Sequence, residues 1–176
     1  MTIKNLFVSI LFVTACHSYS QETITFKDGK QYPVTPEWNF ICENYALTGT
    51  AKIQVAKTEK GGLLKLTVDA TDPTFYVGGT IYVDLADNTI LVCTDKGIRE
   101  NSGNHMTSWY SFSVIEMNKL RKTDIASIRF YIKGNQKKFS SQTGNFTAVN
   151  KKAYFSTTEL KPGKYETAAE INSLYK

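Results

Sequence analysis

Cys93 and His105 have the most direct claim to chemistry in this chain. A cysteine attacks as its thiolate, and a neighbouring imidazole can hold it in that form. Asp95 or Asn104 stands near enough in sequence to orient the ring. However, Cys93 belongs to the nearly all-apolar run TILVCT, where desolvation raises a thiol pKa. No motif surrounds either residue, so the spacing predicts an inert thiol and a loop histidine. Two acidic pairs come next, Asp84 with Asp87 and Asp95 with Glu100. Paired acids serve hydrolysis when their surroundings push the two pKa values apart. Each pair flanks a turn or loop, where Asp ordinarily accepts local backbone hydrogen bonds. The acids around Asp84 also lack the ligand count of a calcium loop. Val77-Gly78-Gly79-Thr80 lacks the full glycine fingerprint of a phosphate cradle and reads as a bend entering a strand. A hydrolase using Cys93 with His105, or an acidic pair, therefore stands second to a binding role. No cofactor and no metal is expected.

Two features point to binding. Tyr82, Trp109 and Tyr131 fall in phase with the polar sides of their strands. If those strands are neighbours, the rings share a face on which a sugar can stack. The alternative is a second core, covered by the helices. Charge is the other feature. From Glu116 to Lys152 nine Lys or Arg face two acids, a balance of +7, whereas residues 21–115 carry −3. Lys137 and Lys138 sit inside the basic stretch, which suits an anionic glycan or headgroup, or else a scattered soluble surface. The expected partner is a glycan or an envelope protein. Nucleic acid is not expected, because no reading motif accompanies the charge.

The address follows from the first twenty residues. Lys4 precedes an apolar run over residues 6–15, and small residues follow at Ser18 and Ser20. That is the layout of an export signal peptide cleaved before Gln21, leaving one extracytoplasmic domain over residues 21–176. The run is about 15 Å long as a helix, too short for a bilayer core of about 30 Å. A rival cut lies at Val13-Thr14-Ala15-Cys16, which resembles the bacterial lipoprotein signal, an apolar residue and two small ones before a cysteine that becomes acylated. The usual first residue of that signal is Leu. Under this reading the protein is a structural lipoprotein tethered at Cys16, and only then does it meet the membrane. Either cut leaves Cys42 and Cys93 in an oxidising compartment. A bridge between them would close about fifty residues and stabilise by about 4 kcal/mol on the chain-entropy model. Otherwise they are two buried thiols.

The elements that would position these residues are mostly strands. Aromatic residues make up 12% of the chain, with many Thr and Val. Apolar and polar residues alternate over 51–55, 64–69, 81–85 and 128–133, with turns at Lys60-Gly61-Gly62 and Ala86-Asp87-Asn88. The run TILVCT is apolar on both faces, which predicts a central strand. Residues 97–104 read as a loop, and 146–149 as a last strand. Ser113 with Glu116, and Thr167 with Glu170, have the spacing of capping boxes, so each predicts a short helix. The first helix is expected to bury Ile115 and Leu120. The fold class expected is mainly β with two short helices (α+β), an antiparallel open sheet or sandwich-like single domain. Oligomeric state does not follow from the residues.

Overall fold

The computed structural model describes residues 22–43, 49–134, 142–153 and 163–176. The fold is mainly β, a large curled antiparallel sheet with two short helices. In chain order the strands are β1 (Thr23–Thr25), β2 (Gln31–Pro33), β3 (Trp38–Glu43), β4 (Thr50–Thr58), β5 (Gly61–Asp69), β6 (Tyr76–Val77), β7 (Ile81–Leu85), β8 (Ile90–Cys93), β9 (Arg99–Ser102) and β10 (His105–Phe112). Helix α1 (Val114–Leu120), β11 (Ile125–Lys133), β12 (Gly144–Val149) and α2 (Thr167–Ser173) complete the order. The main sheet runs β8-β7-β11-β12-β3-β4-β5-β10-β9, with β6 also paired to β11. Strands β1 and β2 form a separate two-stranded hairpin.

The period-two pattern puts one continuous core on the inner face. Cross-strand neighbours there include Leu91, Val83, Ile128, Ala148 and Cys42, all buried. Removing such side chains from water is the dominant favourable term in folding. The two hairpins expected from alternation, β4–β5 and β7–β8, form in the register the pattern implies. Gly62 has a reason beyond its turn. A Cβ there would lie 2.3 Å from the Met117 sulfur, so the glycine admits α1 against the sheet.

The helices close one end of the curl. Ser113 caps α1 reciprocally, its hydroxyl accepting from Glu116 N while Glu116 Oε2 accepts from Ser113 N at 2.7 Å. Met117 and Leu120 face the core, whereas Ile115 is 71% exposed, contrary to the expected inward Ile115. Helical spacing alone made Ile115 and Leu120 an ambiguous pair; the sheet takes the stripe through Met117. The second capping box does not form. Thr167 is already helical, its hydroxyl accepts from Ile125 N at 2.8 Å, and Asp124 Oδ1 accepts from Ala168 N at 2.8 Å. Glu170 instead accepts from Trp38 Nε1 at 2.5 Å.

Two further readings change, and a third holds. TILVCT is an edge strand, not a central one: β8 ends the sheet, and its outer residues Ile90 and Val92 are 52% and 54% exposed. Residues 97–104 are not all loop, because β9 lies within them. The strand expected at 146–149 is β12, held between β11 and β3.

The two margins of the curled sheet are joined by side chains. Ser108 Oγ donates to Val77 O at 2.8 Å, Arg99 Nε to the same oxygen at 3.2 Å, and Asn101 Nδ2 to Phe75 O at 3.1 Å. A seam of β9 and β10 against β6 therefore replaces a continuous ladder. Among the described residues no helix is long and apolar enough to cross a membrane.

Candidate functional site

The outer face of β7, β11 and β12 gathers polar and aromatic side chains. Register sets Tyr82 beside Arg129, Arg129 beside Thr147, and Tyr131 beside Asn145. Residues 128, 130 and 132 turn inward and are buried, so 129, 131 and 133 turn outward. A shallow depression of about 280 Å³ lies over them, lined also by Thr80. Tyr82 is 39% exposed and Tyr131 is partly buried. Val92, on the edge strand, continues the row beyond Tyr82.

Arg129 fixes the centre of this face. Its Nη2 and Nε bond Asp84 at 2.7 and 2.9 Å, and its guanidinium lies 4.9 Å from the Tyr82 ring centroid. Ser127 Oγ donates to the same carboxylate at 2.8 Å. Partial burial raises the Asp84 pKa, but the hydrogen bonds from Arg129 and Ser127 outweigh it, and the carboxyl ends below its ordinary value. Asp84 correspondingly raises Arg129. The depression is lined by no thiol and no imidazole. The rings, hydroxyls and amide that line it can contact a ligand by stacking and hydrogen bonding.

Of the three rings singled out from phase, only Tyr82 and Tyr131 come together. Trp109 is 3% exposed, on β10, with four strands between it and β11. Its phase is outward as expected, but that part of the outer face is a second core with Val34, Ala56 and Leu63. The cover is the β1–β2 hairpin, not the helices: Phe26 meets Trp109 edge-on at 5.2 Å. The Trp109 platform is therefore corrected to a structural role.

The thiol chemistry is corrected as well. Cys93 faces the inner core, and burial, with the Glu116 charge second, pushes its thiol up to about 12. His105 is at the opposite phase of β10 from the core residues Met106 and Tyr110, and its Nδ1 bonds Asp69 Oδ1. The two residues occupy opposite faces, so no Cys93–His105 dyad exists. The disulfide is likewise overturned. Cys42 and Cys93 are both free and buried, and three strands lie between β3 and β8. A bridge needs Cα atoms within about 7 Å. Burial raises the Cys42 thiol to about 12 too.

The acidic pairs are held as turn chemistry predicts. Asp87 accepts from Thr89 N, which lowers its pKa, so Asp84 and Asp87 move the same way rather than apart. Asp95 accepts from Gly79 N and Gly97 N and pairs with Arg99. Glu100 is an exposed residue of β9. Among the described residues no three His, Cys, Asp or Glu gather as a metal site. Cys16, Lys137 and Lys138 lie outside the described residues.

Sequence reasoning missed Arg129, Asn145 and Thr147. The outward phase of Arg129 was legible from its neighbours Ile128 and Phe130, but the pairing that brings β12 alongside left no local signal. Comparison with protein-family models, with curated proteins and with solved structures finds no match.

Proposed function

We propose that this chain is a non-enzymatic binding domain that works outside the cytoplasm and takes a saccharide on the outer face of β7, β11 and β12. The observation that carries the reading is that Tyr82 and Tyr131 line one depression together with Thr80, Asn145 and Thr147. Rings offer a flat apolar face to sugar C–H groups, and the polar neighbours meet its hydroxyls. The export layout of residues 1–20 supports the compartment, and the Val13–Cys16 tetrad supports a lipid tether as its alternative form.

A panel of oligosaccharides titrated against the mature protein tests this. Tyr82→Ala and Tyr131→Ala should each weaken binding by roughly three- to tenfold, the worth of one aromatic contact. Both side chains are at least partly exposed, so the fold should persist. Unchanged affinity in the double variant would overturn the site. A second reading has its own observation. Ile90 and Val92 are exposed beside Tyr82, which suits an envelope protein that buries them.

A further inference from the structure

The same face continues past Tyr131, and its continuation is charged. Lys133 follows Tyr131 by one outward step, about 7 Å along β11. Tyr76 is its partner on β6, and the Arg99 guanidinium lies 4.6 Å from the Tyr76 ring centroid. Val77 and Ile132, the next pair, are buried, so Tyr76 and Lys133 both turn outward. Tyr82, Tyr131 and Tyr76 thus share the outer face with Arg129 and Lys133, and Arg99 reaches Tyr76 from β9 across the seam.

Gly78 and Gly79 make that continuation possible. Gly79 has φ +85, a left-handed conformation that favours glycine, and it bends the chain from β6 into β7. Gly78 N donates to Tyr131 O at 3.0 Å, so the bend lies directly beside Tyr131. A Cβ on Gly78 would lie 2.7 Å from the Tyr76 ring and 3.2 Å from Arg99 Nη2. The missing side chain is where the ring and guanidinium pack. The bend expected from sequence therefore also lets the Tyr76 ring and the Arg99 guanidinium pack directly over the backbone beside Tyr131.

The cations differ in availability. Asp84 occupies Arg129 and Asp95 occupies Arg99. Among the described residues no carboxylate pairs with Lys133, which is exposed. A sugar stacked on Tyr131 would have an unneutralised ammonium one step away. From these observations we infer that the saccharide is acidic, a uronate or sulfated chain whose anionic group meets Lys133 while its rings stack on Tyr131, Tyr82 and Tyr76. This rests on the saccharide reading above and adds the charge of the ligand to it.

The test compares two probes of equal length on the mature protein, an oligogalacturonate and an uncharged cello-oligosaccharide. The oligogalacturonate should bind at least tenfold more tightly at low salt, and the gap should close as salt rises, since exposed charges are screened. Lys133→Gln should cost the acidic probe several-fold and leave the neutral probe unchanged. The variant touches no core residue, so folding does not cloud the result. Equal binding of the two probes, or indifference to Lys133→Gln, would overturn the acidic preference and leave the saccharide site standing. Failure of both probes to bind would overturn the acidic preference, and the Tyr82 and Tyr131 variants against the wider panel then decide the site.

Discussion

Cys42 and Cys93 make the clearest claim at the scale of a residue. Each thiol is buried and pushed up to about 12 from an ordinary value near 9. At pH 8 the thiolate is then a minute fraction, and the thiolate is the reactive species. The native protein should resist alkylation for hours at that pH and take up two labels in denaturant. Rapid native labelling, or a mature mass two hydrogens short, would contradict the free buried thiols. The linkage has a definite sign. A thiol whose folded pKa exceeds its unfolded one contributes stability below pH 9, which is lost as pH climbs from about 9 to about 12. Much of this was legible from TILVCT, whose apolar neighbours already implied a raised pKa. The partner of a cysteine is a matter of strand order, and no residue near Cys42 or Cys93 encodes that three strands lie between them. Trp109 teaches the same lesson: its phase was readable, whereas its cover by Phe26 and Val34 arrives from a hairpin more than seventy residues earlier.

Among elements, α2 is anchored by residues that precede it. Asn150 is 2% exposed and clamps the approach, its Nδ2 donating to Ile125 O at 2.8 Å and Tyr165 O at 3.0 Å while Oδ1 accepts from Tyr165 N at 2.8 Å. Asn150→Ala would leave these backbone groups unpaired in a part-buried place. The expected loss is about 2–3 kcal/mol, seen as a lower denaturation midpoint with an unchanged slope. A loss below half a kcal/mol would mean that water replaces the amide without penalty. The capping boxes show why such anchors escape local reading. Ser113-x-x-Glu116 is complete within four residues and formed as expected. Thr167-x-x-Glu170 has the same spacing, but Asp124 and Trp38 supply better partners from other elements, and tertiary contacts override the local choice. The β7–β8 hairpin divides in the same way. Its turn at Asn88, φ 66, is local and was readable; its place at the margin is not, because apolar residues on both faces suit a central strand equally well.

For the whole molecule, the decisive feature is how the curl is closed. Antiparallel ladders hold every other junction of the main sheet, and the seam rests on Ser108, Arg99 and Asn101 reaching carbonyls of β6. Side-chain bonds of this kind contribute about 1 kcal/mol apiece, so the seam should open before any ladder does. Amide exchange should accordingly be faster in β6 and β9 than in β4 and β5, and Ser108→Ala combined with Arg99→Ala should widen the difference. Uniform protection across all four strands would refute this. Opening would uncover backbone donors and acceptors along two margins at once, and unpaired margins recruit strands from other chains. Clumping by lateral strand addition, rather than loss of the core, is then the first way this protein would fail when warmed or crowded, and three polar side chains stand as its guard against that fate.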